Sequence, residues 1–386
     1  MKHTMNPRRI AAHYVYHRRS LLRNAIVSWT SDGTVAGVEV PGNVDACAGV
    51  EFLNGILLPD LVDAHCHLEL SYLKDAIPQG GGFTAFARGM GEVRGLKSME
   101  ERIAAAADAD AALWRQGVGA VGDVCNGASV FGIEAESCVA YRCFLELFGL
   151  GVSSAAVLAP LAREAARREL SFSVTPHSTY SLQDAAFRSA VSAGGGLLSV
   201  HFMESPAERE LFEGRGELYE WYAQRGTPID FAGYGSPAAR IVASVPAGRD
   251  ILLVHNCCVT EEDVERITAH FGGRVTWVLC PCSNRYISRL APPVAMLRRK
   301  GVRIAVGTDS LASNTALDMV AELRALGDVP LEELLAWATV DGARALGIDG
   351  MNGFEEGSRS GAVLLSGVDW NRMRLTEDSR TERIAL

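Results

Sequence analysis

Short apolar runs recur along most of the chain, and stretches with a helical pattern of polar and apolar residues separate them. Within a run the apolar residues are mostly consecutive, which is typical of strands that are buried on both faces. Eight such runs, rich in Val, Ile and Leu, span Ile56–Asp63, Ala120–Cys125, Val139–Leu147, Phe172–Thr175, Leu197–His201, Ile251–His255, Val275–Leu279 and Val302–Gly307. Strands that alternate with helices in this way predict an α/β fold, a (β/α)8 barrel of the TIM type.

The helical stretches carry their own start signals. Three pairs have the spacing of a capping box, in which side chains satisfy the first backbone N–H groups of a helix: Ser98 with Glu101, Ser181 with Asp184, and Thr260 with Asp263. Ser205-Pro206 predicts a helix cap followed by proline at the first helical position. Near the end of the chain, the apolar stripe from Pro330 to Gly347 predicts one amphipathic helix.

Both ends of the chain have a different pattern. From Ile10 to Leu53, apolar and polar residues alternate between turn signals, which predicts short antiparallel strands. Glu355–Leu365 and the polar tail return to the same strand-like composition. We therefore predict a small β-sandwich domain built from residues 1–55 and 350–386, with the barrel between them at residues 56–349.

Charge and composition narrow the classes of partner. The 386 residues include 37 Lys and Arg against 46 Asp and Glu, for a formal net charge of −9. A negative field repels polyanions, so nucleic acid and anionic membranes are not expected partners, and a small molecule is. Met1–Leu22 lacks the apolar core of a secretion signal. Nine cysteines without a C-x-x-C pair are typical of reduced thiols, so we expect a cytoplasmic protein.

Ligand-type side chains follow several of the apolar runs. Active sites of barrels lie at the C-terminal ends of the strands, so residues in these places are candidates for chemistry. Five of the nine histidines stand there, together with one acidic residue after the last run: His65, His67, His177, His201, His255 and Asp309. A lone histidine at a strand end usually only satisfies hydrogen bonds, but the whole set indicates a metal-dependent active site.

His65 and His67 close the first run. Because side chains alternate between the two faces of a strand, these imidazoles share a side and Cys66 faces away. Two neutral imidazoles on a rigid strand can bind one divalent metal ion when other segments provide the remaining ligands.

The order of the motifs resembles the amidohydrolase superfamily, in its branch of metal-dependent aromatic deaminases and chlorohydrolases. The motifs that carry the resemblance are His65-x-His67, Thr175–Ser181, His201-x-x-Glu204, His255, Cys280–Asn284 and Gly307-Thr308-Asp309-Ser310. Within the branch, His65–Ser71, Gly82–Phe86 and Thr308–Ser313 are similar to aminodeoxyfutalosine deaminases. The resemblance implies a hydrolase that releases ammonia from a purine-like ring, first of all an adenine-type nucleoside such as aminodeoxyfutalosine.

Carried over to this chain, the resemblance implies one divalent metal ion bound by His65, His67, His201 and Asp309. Zn²⁺ is the first expectation and Fe²⁺ the alternative, because the ligand types do not decide between them. Relatives with two metals have a Lys or Glu after the fourth strand, where this chain has His177, so we infer a single ion. A bound metal lowers the pKa of water towards neutrality, and Asp309 can then take its proton.

The resemblance also implies roles for four further residues. Glu204 corresponds to the proton shuttle for the ring nitrogen, and His255 would steady the tetrahedral intermediate. His177 corresponds to a histidine that contacts the substrate. Glu69 is expected either to accept hydrogen bonds from sugar hydroxyls or to orient a ligand histidine. Relatives commonly self-associate, which implies a homodimer.

Some positions near these motifs have no firm assignment. The two aromatic residues are expected to form a pocket wall, a lid or plain core, and the two polar residues fall near the rim of the barrel: Phe83, Phe86, Asn284 and Arg285.

Other functions stay open from the sequence. The same barrel supports deamination of adenosine, S-adenosylhomocysteine or guanine, displacement of chloride, and hydrolysis of a cyclic amide, although Glu204 with His255 favours deamination. The other zinc deaminase design, His-x-Glu with Pro-Cys-x-x-Cys, is excluded because Arg285 stands where its last Cys is required. A catalytically silent barrel used for binding is the third hypothesis, and the complete set of candidate ligands argues against it.

Overall fold

A computed structural model describes residues 8–43, 47–348, 350–351 and 353–386. Its strands are β1 (Arg8–His17), β2 (Ser20–Arg23), β3 (Ile26–Trp29), β4 (Val35–Glu39), β5 (Glu51–Leu58), β6 (Leu61–Cys66), β7 (Val118–Cys125), β8 (Ala140–Leu147), β9 (Ser171–Pro176), β10 (Leu198–Phe202), β11 (Ile251–His255), β12 (Val275–Leu279), β13 (Arg303–Val306), β14 (Ala362–Ser366) and β15 (Arg380–Ile384). Residues 1–7, part of the segment predicted to lack a secretion signal, lie outside the described residues.

The α-helices are α1 (Phe83–Val93), α2 (Met99–Arg115), α3 (Phe131–Glu136), α4 (Ala159–Arg167), α5 (Asp184–Ala193), α6 (Pro206–Phe212), α7 (Glu217–Gln224), α8 (Pro237–Ser244), α9 (Glu261–Phe271), α10 (Pro281–Ser288), α11 (Val294–Arg299), α12 (Met319–Ala325), α13 (Leu331–Trp337) and α14 (Val340–Leu346). Short 3₁₀ helices form at Leu68–Leu73, Ala155–Leu158, Ala232–Tyr234 and Gly272–Arg274. Among the described residues, none of these helices has the length and apolar character that crossing a membrane requires.

Eight strands in the middle of the chain fall on the eight predicted apolar runs. They form two parallel sheets, in the orders β6-β7-β8-β9 and β10-β11-β12-β13. β7 and β12 are buried at every position, and this burial explains why the runs are continuously apolar. The predicted capping boxes of Ser98 and Thr260 are present at the starts of α2 and α9.

Backbone hydrogen bonds join the two parallel sheets at both edges. The N–H of His201 donates to the carbonyl of His177 at 2.8 Å. At the other edge, the N–H of Asp309 donates to the carbonyl of His65 at 2.9 Å, and that of His67 donates to the carbonyl of Asp309 at 3.0 Å. Both seams therefore pass through predicted site residues.

Strands from both chain ends form a third sheet, as predicted. Its order is β15-β14-β5-β1-β3-β4, with β2 paired to β1. A separate apolar core supports it, which includes Trp29, Leu57, Phe354 and Ala362. All seven strands belong to one hydrogen-bonded sheet, so the two layers of a sandwich stay a prediction.

The first predicted run differs from the structure. Ile56–Asp63 is divided between β5, which belongs to the sheet from the chain ends, and β6, the first strand of the parallel sheets. Pro59 lies at the break and has no N–H to give to a strand ladder. The residues on both sides of it are buried, so the sequence shows one run. β5 also pairs with β1 in parallel, so the prediction that the N-terminal strands are all antiparallel was wrong for this pair.

Two helix predictions were also wrong in detail. α5 has Gln183 as its cap residue, and the hydroxyl of Ser181 instead lies 3.0 Å from Nδ1 of His177. The amphipathic stretch from Pro330 to Gly347 is two helices, α13 and α14. Thr339 interrupts it with a non-helical backbone (φ −131°, ψ −101°), and its hydroxyl donates to the carbonyl of Leu335 at 2.6 Å, a side-chain bond that commonly competes with helix continuation.

An ion pair joins the sheet from the chain ends to the parallel sheets. Arg383 on β15 lies 2.7 Å from Asp60, and it also donates to the carbonyls of Trp114 and Val118 at 3.0 and 3.1 Å. Burial raises the pKa of Asp60, and Arg383 opposes that rise. Because Arg383→Ala would leave a buried carboxyl without its cation, we expect it to lower the free energy of unfolding by about 3–5 kcal/mol in urea titrations.

The control for this prediction is Arg380→Ala on the same strand. The Arg380 side chain is exposed, so its loss should change the free energy of unfolding by less than about 0.5 kcal/mol. Equal losses in the two variants would contradict the anchoring role of Arg383.

Candidate active site

The carboxyl ends of the parallel strands surround a cavity of about 360 Å³, within the usual range for small-molecule pockets. Six predicted site residues line it: His67, His177, His201, Glu204, His255 and Asp309. His65 is fully buried, and its ring centroid lies 4.9 Å from those of His67 and His201. The structure thus brings seven of the eight predicted residues together.

Three histidines and one carboxylate converge at the base of this cavity. Oδ1 of Asp309 lies 3.7 Å from Nε2 of His65 and 3.5 Å from Nε2 of His67. Nε2 of His67 lies 3.2 Å from Nε2 of His201. Bonds of about 2.0–2.1 Å to a tetrahedral ion put neighbouring ligand atoms roughly 3.3 Å apart, so this spacing fits one divalent metal ion.

The hydrogen bonding of these imidazoles fits a metal as well. Nε2 of His65, the nitrogen nearest to Asp309, is buried without a hydrogen-bond partner, a costly state for a polar atom unless a ligand takes it up. Nδ1 of His201 donates to the carbonyl of His177 at 2.9 Å, which leaves a lone pair on Nε2. Burial and the neighbouring His65 lower the pKa of His201 to about 4 and that of His67 well below its usual value. Neutral imidazoles are the form that a metal binds.

Asp63 and Gly307 fix the position of Asp309 relative to β6. The Asp63 carboxylate accepts hydrogen bonds from the N–H groups of His65 and Thr308, at 3.2 and 3.0 Å. At Gly307 an added Cβ would lie 2.7 Å from the carbonyl oxygen of His65, so only glycine permits the two strands to approach this closely. These contacts explain why glycine and threonine precede Asp309 in the sequence.

Two hydroxyls hold the other oxygen of the Asp309 carboxylate. Ser283 Oγ and Ser313 Oγ donate to Oδ2 at 2.5 and 2.7 Å. Burial alone would raise the pKa of Asp309, but the surrounding imidazoles of His65, His255 and His67 hold that pKa well below its usual value. Asp309 is therefore an ionised carboxylate with Oδ1 directed to the histidines.

Glu204 has the opposite character. Its carboxyl lines the cavity, and Oε2 lies 3.9 Å from Nε2 of His255. Burial, followed by the charges of Asp309 and Glu208, raises its pKa well above the usual value. One protonated and one ionised carboxyl in a single site are the arrangement that acid–base chemistry requires.

Asn284, which the sequence left without a role, fixes the tautomer of His255. Its side-chain amide lies 3.0 Å from Nδ1 of His255, and as an N–H donor it leaves the proton of the neutral ring on Nε2. That nitrogen faces Glu204. Arg285, by contrast, is exposed and is not among the residues that line the cavity.

Three residues at these strand ends have a left-handed backbone. Met203, His255 and Asp309 have φ values of 50°, 77° and 61°, in the left-handed region where residues other than glycine cost of order 1–3 kcal/mol each. The carboxylate of Glu208 holds the backbone of Met203 in this conformation by accepting its N–H at 2.5 Å. Strain that the surroundings hold in place is common at functional sites.

Aromatic side chains form the cavity walls. His177 stacks on His201 with ring centroids 4.4 Å apart and packs edge-on against Phe148 and Tyr180. Phe83 and Phe86 line the cavity, so among the predicted alternatives they are wall residues. An aromatic enclosure of this kind suits a flat heteroaromatic ring.

Glu69, predicted to contact the substrate or to orient a ligand histidine, lies elsewhere in the structure. It is not among the lining residues, because the 3₁₀ helix at Leu68–Leu73 carries it to the N–H of Gly127, at 3.1 Å, and to Arg94, at 3.6 Å. Neither predicted role has a counterpart in these contacts. Glu146 on β8 lines the cavity although the sequence analysis did not select it. The sequence feature that could have identified it is a charged residue near the C-terminal end of an apolar run.

A model of the amidohydrolase family matches residues 56–378, well over half of the chain. The protein therefore belongs to this family, whose members are metal-dependent hydrolases.

Individual relatives agree with this assignment. An adenosine deaminase from Helicobacter pylori is 29% identical over 315 residues, which cover 77% of this chain and 76% of that protein. An aminodeoxyfutalosine deaminase from Nitratiruptor sp. is 27% identical over 326 residues, with the same coverage of 77% and 76%. The crystal structure of Helicobacter pylori aminofutalosine deaminase in complex with methylthio-coformycin matches 98% of this chain and 100% of that one, with a TM-score of 0.82 at 23% identity. This likeness confirms the predicted TIM-barrel class of fold.

Proposed function

We propose that the protein is a metal-dependent hydrolytic deaminase of adenine-type nucleosides, with aminodeoxyfutalosine as the first candidate substrate. The observation that carries the proposal is the pairing of a protonated Glu204 with an ionised Asp309 across one cluster of neutral histidines. The two deaminase relatives support the nucleoside class.

We also propose that the two parallel sheets close into one eight-stranded barrel and that the terminal strands form a separate domain. The backbone hydrogen bonds at both seams support closure. The separate apolar core of the terminal sheet supports the division, with the barrel beginning at β6 rather than at residue 56.

His65, His67, His201 and Asp309 would hold the metal ion. Zn²⁺ suits three imidazoles and a carboxylate in tetrahedral spacing, and Fe²⁺ has the same ligands available. When bound, a divalent ion lowers the pKa of a water molecule so that it can act as a nucleophile near neutral pH.

The side chains then divide the proton transfers of hydrolysis. Asp309 takes a proton from the attacking water, and Glu204 gives its proton to the ring nitrogen next to the carbon under attack. The Nε2–H of His255 hydrogen-bonds the new oxygen substituent and stabilises the tetrahedral intermediate. The proton gained by Asp309 goes to the departing amine, and the remaining proton of the new hydroxyl returns to Glu204 as the C–N bond breaks, so water and the aminopurine become ammonia and the oxopurine. His177 packs against the substrate ring.

A panel of substrates tests this function. We expect release of ammonia from aminodeoxyfutalosine, adenosine, 5′-methylthioadenosine or S-adenosylhomocysteine, and little from guanine, pterins or chlorinated triazines. Purified enzyme should carry about one equivalent of metal, which a silent binding barrel would lack. Loss of chloride from triazines without deamination of any nucleoside would contradict the proposal, and so would silence across the panel.

Partners and location follow from the same proposal. The substrate is a small molecule, and the negative charge of the chain supports the absence of nucleic acid and of anionic membranes. All nine cysteines are free thiols, which supports a reducing compartment such as the cytoplasm. The homodimer stays a prediction.

A further inference from the structure

A second cavity lies at the opposite end of the parallel strands from the candidate active site. Its volume is about 400 Å³, close to that of the first cavity. Ile251, the first residue of β11, and Leu197, which precedes β10, form part of its wall. The residues that line it also include four arginines from four separate elements: Arg142, Arg274, Arg303 and Arg344. We call this cavity the basic cleft.

The basic cleft carries an excess of positive charge. Asp250 is its one acidic lining residue, and it lies 3.4 Å from Arg274. Because the other lining residues are neutral, three of the four guanidinium charges have no carboxylate in the cleft. The whole chain has a formal net charge of −9, so the sign of the charge is reversed locally, over a range that salt limits to about 8 Å. A compact anion is attracted to this place, whereas a long polyanion also meets the negative charge around it.

Two of these arginines have unused hydrogen-bond donors. Nη1 of Arg142 donates to Oγ of Ser171 at 2.7 Å, whereas Nη2 makes no hydrogen bond among the described residues and keeps accessible surface. Burial lowers the pKa of Arg142, and no carboxylate in the described part of the chain pairs with it. Arg344 is exposed in the last turn of α14, where it makes no hydrogen bond or ion pair with a described residue. A half-buried cation without a counter-ion costs free energy, and an anion in the cleft would offset that cost.

Structural roles account for the other two arginines but not for this pair. Arg303 donates to the carbonyl of Gly273, and Arg274 has Asp250 beside it. Docking of an acidic protein is a poorer explanation for Arg142 and Arg344, because the cleft is concave and has the volume of a small-molecule site.

We propose that the basic cleft binds a phosphate-bearing small molecule, whose oxygens accept hydrogen bonds from Arg142 and Arg344. A phosphate group has three acceptor oxygens and a charge of about −1.5 to −2 at pH 7, which matches the excess charge of the cleft. Planar guanidinium groups pair with such oxygens in a defined geometry. The cleft is separate from the candidate active site, so this inference does not depend on the proposed deaminase function.

Calorimetric titration of the metal-containing protein tests the proposal. The probes are inorganic phosphate, diphosphate and ribose 5-phosphate at constant ionic strength, and metal analysis after each titration shows that the probe has not extracted the ion. We expect saturable binding of one equivalent per chain, with diphosphate tighter than phosphate because it carries more charge. Tighter binding of ribose 5-phosphate than of phosphate would identify the ligand as a phosphate ester, and the reverse order would identify it as the free anion.

Three variants assign the binding to the cleft. Arg142→Gln removes a half-buried donor and should weaken binding by about tenfold or more. Arg344→Gln removes an exposed side chain that has no partner in the described structure, so it should fold normally and weaken binding by about three- to fivefold. Arg380→Gln is the matched control, since it removes the same charge from an exposed position on β15 that does not line the cleft. It should bind all three probes like the wild type.

Several results would overturn the inference. A wild type that binds none of the three probes does so without any variant, so poor folding of Arg142→Gln does not protect the proposal. Unchanged binding in both Arg142→Gln and Arg344→Gln would place the anion elsewhere, for instance on the metal ion of the active site. An equal loss in Arg380→Gln would make the effect one of overall charge. Each of these outcomes is independent of the assay for ammonia release, so failure here and failure of the proposed function are distinguishable.

Discussion

Replacing Asp309 with asparagine should lower kcat by about 10³- to 10⁴-fold, the largest effect that we expect from one substitution. The carboxylate is ionised, its Oδ1 faces His65 and His67, and two serine hydroxyls fix Oδ2. Asparagine keeps the shape but supplies neither the negative charge for a metal nor the base that accepts a proton from water. The measurements are kcat from ammonia release and the metal content of the purified variant.

Asp318→Asn provides the comparison for Asp309→Asn. Asp318 accepts the N–H groups of Val320 and Ala321 as the cap of α12 and is not among the residues that line the cavity. Because asparagine caps a helix about as well as aspartate, the replacement loses only the interaction of the charge with the helix dipole, which should cost less than about 1 kcal/mol of stability and leave kcat within about twofold. If Asp309→Asn retained a tenth of the wild-type kcat with its metal bound, Asp309 would not be the base.

Much of the site could be predicted because chemistry and position coincide at the ends of buried strands. Parallel strands with both faces covered need continuous apolar runs, so a histidine that ends such a run stands out. His65, His201 and His255 are examples, and alternation along a strand brings His67 to the same side as His65. Asp309 follows the last run in the same way, which predicted its place beside them although most of the chain separates β6 from β13.

The parts that could not be predicted depend on contacts between distant segments. Pro59 lies at the break between β5 and β6, but the residues on both sides of it are buried, so the sequence showed one apolar run and predicted one strand. The parallel pairing of β1 with β5 has no local signal, since a strand does not encode its neighbour's direction. The role of Asn284 depends on its distance to Nδ1 of His255, and the position of Glu146 in the cavity wall depends on how the strands assemble. The prediction for Glu69 differs from the structure because the chain turns into a 3₁₀ helix after His67, and this turn directs the Glu69 side chain away from the cavity.

Glu204→Gln should keep the metal and lose about 10²- to 10⁴-fold in kcat, the usual contribution of general acid–base catalysis. Glu204 is not among the four candidate metal ligands, and its raised pKa keeps a proton available for the substrate ring. Glutamine preserves volume but has no acidic proton to give. The wild-type rate should fall as pH rises through the raised pKa of Glu204, because ionisation removes the acid, and this alkaline limb should be absent from the residual activity of the variant.

Glu210→Gln is the matched control for that substitution. Glu210 lies on the next helix, α6, where it pairs with Arg215 at 2.7 Å and does not line the cavity, so its loss should leave both kcat and the pH profile unchanged. Full activity in Glu204→Gln with one equivalent of metal would remove Glu204 from the mechanism. Loss of metal together with activity would instead make Glu204 part of the metal site, since a side chain that only moves protons has no reason to affect the affinity for the ion.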